Sequence, residues 1–131
     1  MLAQHTVGRI AYAFHEQVDI EPIHYVADGE WLYGRTSGGS KLSSLAHRQW
    51  CAFEVDEVRG LFDWTSVVVK GAFYALSADL KPGDAYEHGL ELLRKFEPNV
   101  LTSNDPTPHR TTLFRIHVSE ITGRYARART M

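Results

Sequence analysis

The sequence predicts a mostly β domain, a small barrel of about six strands with added helices, and three observations indicate it. Apolar and polar side chains alternate along most of the chain, which is the period of a β-strand. Turn signals separate the alternating segments at short intervals. The chain has 131 residues, 44% of them hydrophobic, which suits one folded domain of ordinary size. We therefore expect residues 1–131 to form a single domain.

The first three predicted strands lie in the N-terminal part of the chain. The first strand covers residues 10–14, and a turn follows at 15–17. The second and third strands cover 20–26 and 31–36. Between them lies the dipeptide Asp28-Gly29, which suits a tight hairpin turn because that turn needs positive φ angles. These segments predict a β-hairpin.

The middle of the chain predicts two further strands. A glycine-containing loop at 37–40 precedes a short helix predicted over 41–48, and a strand follows over 50–55. Residues 56–63 include four charged residues and predict a polar loop. The segment 64–76 contains three consecutive valines and is apolar on both faces. Such a run is typical of a central strand in a covered or closed sheet.

The last third of the chain predicts one helix and one strand. Residues 85–96 have helical spacing, with Asp84 as the N-cap and Glu87 completing a capping box. The proline-containing segment 102–110 predicts a loop, and 113–121 predicts the last strand.

Charge and cysteine content exclude several classes of protein. A formal net charge of −2 gives no field that would gather nucleic acid. Three arginines near the end, Arg124, Arg127 and Arg129, predict a short solvated tail. Because Cys51 is the single cysteine, a disulfide-built secreted scaffold is excluded. No signal-peptide pattern and no apolar run of the roughly 20 residues that cross a bilayer occur, so we expect a cytoplasmic protein that binds neither nucleic acid nor membrane.

The segment 36–41, with the sequence Thr-Ser-Gly-Gly-Ser-Lys, has the features of a phosphate-binding loop. Glycines let backbone N–H groups turn toward an anion, hydroxyls donate to phosphate oxygens, and Lys41 supplies a charge. The spacing differs from that of the Walker motif. On these residues alone, the segment is either a phosphate cradle or a simple connection before a helix.

Two other groups combine aromatic and polar side chains. His24 and Tyr25 point to opposite faces of the second strand, so one of them faces any given pocket. Trp64 is followed by two hydroxyl residues and either lines the edge of a planar heterocycle or closes the core. The sequence has no metal-ligand spacing, nucleophile elbow or dinucleotide fingerprint. We therefore predict no metal site and name no catalytic residue.

The order of these groups along the chain resembles a known family. The segments that carry the resemblance are 6–11 (TVGRIA), 22–25 (PIHY) with Asp28-Gly29, 32–36 (LYGRT) with Ser40-Lys41, 51–57 (CAFEVDE), 64–71 (WTSVVVKG), and 114–116 (FRI) with 121–123 (ITG). Together they are similar to the pyridoxamine 5′-phosphate oxidase-like family over nearly the whole chain. The similarity is greatest to its short branch of flavin-nucleotide-binding proteins, some of them linked to nitroimidazole resistance.

The resemblance implies a split β-barrel that pairs into a homodimer, with FMN in a cleft between the subunits. It also implies a small-molecule substrate or electron donor. The residues implied to bind FMN are Ile23, His24 and Tyr25 beside the ring, Thr36, Ser40 and Lys41 at the phosphate with Arg35 and Ser37 flanking them, and Trp64, Thr65 and Ser66 at the ring edge or ribityl chain.

The sequence departs from the true oxidases of that family at two places. Those enzymes have two basic residues after the phosphate-loop serine, where Lys41 stands alone here, and a terminal arginine and histidine segment that 123–131 does not reproduce. We therefore expect a flavin-dependent oxidoreductase with another, unidentified substrate. The alternatives are a deazaflavin-dependent or nitro-compound reductase, and a flavin- or haem-binding module without turnover.

Overall fold

The computed structural model describes residues 1–37, 40–45, 48–77 and 84–127. Its strands are β1 (Val7–Phe14), β2 (Gln17–Asp28), β3 (Trp31–Thr36), β4 (Gln49–Gly60), β5 (Asp63–Leu76) and β6 (Thr112–Ala126). All pairings are antiparallel, and the strands close into a barrel in the order β1-β2-β3-β6-β5-β4. The helices are α1 (Asp84–Phe96) and two short 3-10 helices, Leu2–Gln4 and Lys41–Ser44. The predicted mostly β barrel is confirmed.

The core fills the barrel with side chains from alternate strand positions. The largest fully buried residues are Phe53, Phe73, Phe114, Ile10, Leu42, Leu113, Ile116, Val55 and Val69. Cys51 is also buried and free, and burial raises the pKa of its thiol to about 12. It therefore packs as a small apolar side chain at neutral pH. Because β5 pairs with β4 on one side and β6 on the other, the central strand predicted over 64–76 is confirmed.

The hairpin predicted between the second and third strands is present. Asp28 pairs with Trp31, which leaves Gly29 and Glu30 in the turn. Gly29 has a φ angle of +60°, a conformation that favours glycine. The turn therefore forms where the Asp-Gly dipeptide predicted it.

The segment 56–63, predicted as a polar loop, instead belongs to the long β4–β5 hairpin. β4 continues to its end at 60, β5 begins at Asp63, and a two-residue turn at 61–62 joins them. The Arg59 guanidinium lies 2.9 Å from the Glu57 carboxylate and 3.0 Å from the Asp63 carboxylate. This end of the hairpin is solvent-exposed, so polar residues occupy strand positions and the loop prediction was wrong.

The last strand is longer than predicted. It runs to Ala126 rather than ending at 121, and Arg124 pairs with Ser66 of β5. The predicted tail therefore begins further along the chain, and Arg129 lies outside the described residues. Pairing with β5 explains the difference, because a long neighbouring strand supplies hydrogen bonds to a polar segment that has no alternation of its own.

Of the two predicted helices, the first is shorter than expected and the second is present as an α-helix. The helix expected over 41–48 is a 3-10 helix that ends at Ser44, because Leu45 has an extended backbone (ψ 145°). Residues 46–47 lie outside the described part of the chain. The second helix is α1, and it begins at Asp84, whose side chain is not described, so the predicted capping box stays a prediction.

Helix α1 packs on the outside of the barrel. Leu93 forms a small buried cluster with Val100 and with Leu113 of β6. The helix therefore packs against β3 and β6, and it also contacts β2, where Val26 packs against the same cluster. Among the described residues, every helix is too short or too polar to span a membrane.

Candidate functional site

Two adjoining clefts lie where β2 and β3 meet the end of α1 and the segment 98–111. The larger cleft has a volume of about 420 Å³ and the smaller one about 170 Å³. Arg35 and Arg110 line both of them. The two clefts are therefore parts of one groove, with the two arginines at their junction.

The clefts differ in chemistry. Apolar walls of the larger one come from Val26, Leu93, Phe96 and Val100, with His24 among the polar groups. The smaller cleft is mostly polar, and its lining residues are Glu21, Pro22, Ile23, Thr36, Ser37 and His109 besides the two shared arginines. The groove thus has an apolar end and a polar end.

The strand segment predicted to lie beside a ring contributes to both clefts. His24 is exposed and lines the larger cleft, while Ile23 and Tyr25 are 5% and 2% exposed. The Tyr25 ring packs edge-on against Phe53, and its hydroxyl donates to the Leu2 carbonyl. Burial raises the pKa of Tyr25 to about 12, so its phenol is protonated at neutral pH. His24 is therefore the member of this group whose side chain is open to a ligand.

Arg35 is buried and bonded within the chain. Its guanidinium makes a two-pronged contact with Asp105, at 2.6 Å and 2.9 Å. It also donates to the Thr107 hydroxyl at 2.7 Å and to the Arg110 carbonyl at 3.2 Å. These contacts anchor the segment 98–111 to β3, and we call the Arg35–Asp105 pair the clamp.

Asp105 also forms hydrogen bonds within the segment 98–111. Its carboxylate accepts hydrogen bonds from the backbone N–H groups of Leu101, at 2.8 Å, and Thr107, at 2.9 Å. The hydrogen bond from Arg35, followed by those backbone donors, holds the pKa of this carboxyl well below its usual range. Asp105 is therefore an anion at neutral pH, and the clamp is a fully charged pair.

The predicted phosphate segment is divided between two places. Thr36 is buried, Ser37 is half-buried, and both line the smaller cleft. Ser40 instead donates to the Glu21 carboxylate, with 3.1 Å to each oxygen. The two glycines between them, at 38–39, lie outside the described residues. The structure thus brings the first half of the segment to the groove and turns Ser40 toward β2.

Lys41 also faces acidic and amide groups of β2. Its ammonium lies 3.2 Å from the Gln17 side-chain oxygen and 3.4 Å from the Asp19 carboxylate. The neighbouring Glu21 additionally accepts a hydrogen bond from Tyr12, whose pKa is raised chiefly by burial and then by this carboxylate. Negative charge therefore surrounds the donors at this end of the segment.

The third predicted group lies away from both clefts of its own chain. Thr65 accepts a hydrogen bond from Arg59 at 3.2 Å, and Ser66 donates to Glu54 at 3.0 Å. Trp64 pairs with Val58 next to the hairpin turn. Residues 64–66 are not among those that line either cleft in the described chain.

Several groove residues carried no signal in the sequence. Phe96 and Arg110 line the groove, and Asp105 holds it together, yet none belongs to a recognisable motif. Asp105 and Arg110 lie in the segment 102–110, which was predicted only as a loop. The only local signal was that Asp105 precedes a proline in an irregular segment. That signal does not identify Arg35, 70 residues earlier, as its partner.

Comparison with known proteins adds a family and a fold. A family model for pyridoxamine 5′-phosphate oxidase matches residues 1–125. No curated protein matches the chain. A protein from Corynebacterium glutamicum, provisionally described as a pyridoxamine 5′-phosphate oxidase, is 30% identical with a TM-score of 0.67, covering 95% of this chain and 84% of that one.

Two solved structures of flavin-binding proteins are similar as well. A FAD-binding protein from Mesorhizobium loti is 28% identical with a TM-score of 0.71, covering 96% of this chain and 90% of that one. The FAD-binding protein from Mycobacterium smegmatis is 23% identical with a TM-score of 0.69 and has the same two coverages, 96% and 90%. The likeness to the M. loti structure confirms the split-barrel fold that the resemblance implied.

Proposed function

Because the chain belongs to the pyridoxamine 5′-phosphate oxidase family, we propose that it is a flavin-dependent oxidoreductase that holds FMN in the groove. One observation carries this proposal: an apolar cleft of about 420 Å³ adjoins a polar cleft of about 170 Å³. A flavin nucleotide is divided in the same way, with a planar ring system at one end and a phosphate at the other. The larger volume also falls in the range of about 300–1,000 Å³ that is usual for ligand sites.

The residues of the groove fit such a ligand. Val26 and Phe96 supply apolar surface for the faces of a ring, and His24 supplies a polar group beside it. Thr36 and Ser37 supply hydroxyl donors at the polar end. A bound flavin would supply the redox chemistry, and these side chains would bind it, orient it and limit its contact with water. The substrate is a small molecule that reaches the same groove.

The purified protein is expected to be yellow, with the absorbance of an oxidised flavin and a released ligand of the mass of FMN. A Val26→Trp variant should lose the colour, because the indole would fill the larger cleft, whereas Val18→Trp on the exposed end of β2 should keep it. Bleaching of the flavin band by NADH or NADPH would support an oxidoreductase. A haem spectrum, or a colourless protein that binds no added flavin, would contradict the proposal, and a flavin that nicotinamides do not reduce would indicate a storage or sensing module.

FAD is the second candidate for the cofactor. The M. loti protein, at 28% identity, is described as FAD-binding. FAD carries the same ring and a phosphate in the same relative place, so the groove would hold that part of it in the same way. The mass of the released ligand separates the two flavins.

We also propose a homodimer with the flavin at the subunit interface. Large apolar side chains are exposed at the tip of the β4–β5 hairpin, with Leu61 81% and Phe62 68% exposed, and Tyr125 on β6 is 71% exposed. An exposed apolar patch of this kind is typical of an interaction surface. Residues 64–66 belong to the same hairpin, so a partner's hairpin would carry them toward the groove of the first subunit. We further propose a cytoplasmic protein, since its one cysteine is a free thiol.

The double variant Leu61→Asp, Phe62→Asp is expected to be monomeric by light scattering and to hold less flavin than the wild type. Both residues lie exposed in a turn, so the barrel itself should keep its melting temperature. Val18→Asp is the matched control, because Val18 is 80% exposed on a different hairpin, and it should stay dimeric. A wild-type monomer that holds stoichiometric flavin would disprove the dimer proposal.

A further inference from the structure

A further cleft lies apart from the groove, and none of its described lining residues is shared with it. Its walls come from residues 2 and 3 of the N-terminal 3-10 helix, the β2–β3 hairpin around Gly29, and residues 118–121 of β6. We call it the turn cleft. Its volume of about 460 Å³ lies in the range of about 300–1,000 Å³ that is usual for small-molecule sites.

A β-bulge in β6 shapes one wall of the turn cleft. Val118 pairs with Gly71 and Glu120 pairs with Lys70, so Ser119 is an extra residue in the strand. In a regular strand, successive side chains point to opposite faces, whereas here four consecutive residues, 118–121, line one cleft. The Val118 N–H donates to the Glu30 carbonyl at 2.8 Å, which ties the bulge to the β2–β3 turn. The backbone therefore holds this concave surface in place.

Much of the surface of the turn cleft is apolar. Leu2, Ala27 and Val118 line it and also pack against the core of the barrel. Ile121 lines it from β6 and is 57% exposed. A ligand with an apolar body would remove this surface from water, which favours binding.

The described charged residues that line the turn cleft are both acidic, Glu30 and Glu120. The Glu30 carboxylate lies 3.3 Å from the imidazole of His117. Lys70 lies opposite Glu120 in the β5–β6 pair, yet within the described chain the Glu120 carboxylate makes no hydrogen bond or ion pair. The charge of the cleft therefore complements a cation.

We infer that the turn cleft is a second binding site and that its ligand is a small organic ammonium ion. The apolar body of the ligand lies along Leu2, Val118 and Ile121, and its cationic head lies at Glu30 and Glu120. A primary ammonium has three donors, so it can serve two carboxylates at once. A bare metal ion does not fit, because the described residues hold no group of three or more ligating side chains. The site does not depend on a flavin in the groove.

The test titrates three probes into the protein: 4-phenylbutylammonium, 4-phenylbutanol and 4-phenylbutyrate, which share one apolar body and differ in charge. Isothermal titration calorimetry should give a Kd of roughly 1 mM for the ammonium, a usual affinity for a ligand of about 11 non-hydrogen atoms. The alcohol should bind about 3–10-fold more weakly, because it lacks the attraction to the two carboxylates, and the butyrate should not bind. Amide NMR shifts caused by the ammonium should centre on Gly29, Ser119 and Ile121.

Variants of the cleft separate the charge from the apolar surface. Glu30→Gln and Glu120→Gln should each weaken ammonium binding by about 2–5-fold, and the double variant should bind the ammonium no more tightly than the alcohol. Ser119→Trp, at an exposed position of the bulge, should fill the cleft and abolish binding of both probes. Glu91→Gln is the matched control, because Glu91 is an exposed carboxylate on α1 outside the cleft, and it should keep the wild-type affinity.

Melting temperatures establish that each variant is folded. The inference is overturned if the ammonium fails to bind at about 10 mM, well above the expected Kd. It is equally overturned if the butyrate binds as tightly as the ammonium, if the double glutamine variant keeps the wild-type affinity, or if the NMR shifts lie outside the turn cleft.

Discussion

Arg35→Met is expected to lower the melting temperature of the apoprotein by roughly 10–20 °C, because it leaves a buried carboxylate without its cation. Asp105 is 8% exposed and would keep only its backbone donors and the Thr107 hydroxyl. Methionine preserves the length of the arginine stem, so the loss measures the charge pair and the other guanidinium hydrogen bonds rather than a cavity. Thermal unfolding followed by circular dichroism gives the value.

The double variant Arg35→Met, Asp105→Asn is the control for the clamp. It removes both charges and keeps a side-chain oxygen that accepts from one of the two backbone donors, so it should still be more stable than Arg35→Met alone, which leaves a whole charge without its cation. Because the folded-state pKa of Asp105 lies below its unfolded value near 4, the clamp's contribution is complete above that pH and is lost only as the pH falls through the folded value. The comparison therefore belongs at pH 6–8. A double variant no more stable than the single one would show that the stranded charge is not the cause.

Gly71→Ala is expected to lower the free energy of unfolding by roughly 3 kcal/mol, the upper end of the usual cost of overpacking. A Cβ at this position would lie 2.1 Å from the carbonyl oxygen of His117 in β6. That oxygen belongs to the backbone of a paired strand, so it cannot rotate away as a side chain would. The register between β5 and β6 shifts here, between Lys70 and Gly71. Urea unfolding of the apoprotein measures the effect.

Gly123→Ala provides the matched comparison on the same pair of strands. The nearest atom to a Cβ there is the Ser66 carbonyl oxygen, at 3.9 Å, which is an ordinary contact. The substitution should change the free energy of unfolding by less than about 1 kcal/mol. If both variants lost the same free energy of unfolding, the close approach between Gly71 and the His117 carbonyl would not be the cause of the destabilisation.

The fold could be predicted because apolar and polar side chains alternate along most of its strands. In β1, Ile10 and Tyr12 are apolar side chains two positions apart, and the neighbouring strands show the same spacing. The core of the barrel is built from those positions. The strands at 56–63 and after 121 were not predicted, because most of their side chains are exposed on both faces. Periodicity records burial, so a strand that is buried on neither face gives no signal.

The residues that line the candidate groove could be predicted only in part, for a different physical reason. His24, Thr36 and Ser37 lie on or next to strands with recognisable patterns, and all three line the groove. The clamp and Arg110 depend on contacts between β3 and an irregular segment some 70 residues later. Nothing local in an irregular segment specifies a distant partner. The contact between Lys41 and the Asp19 carboxylate is likewise visible only in the folded structure.

The position of β6 has a consequence for how the chain is made. In the barrel β6 lies between β3 and β5, so the strands before it can pair only into an open sheet in the order β3-β2-β1-β4-β5. Until residues 112–126 leave the ribosome, that sheet has two exposed edges, which is the condition under which nascent chains associate with one another. Closure of the barrel therefore has to wait until β6 has been made. Asp105 and Arg110 lie just before the closing strand, so the groove is completed at about the same point as the barrel.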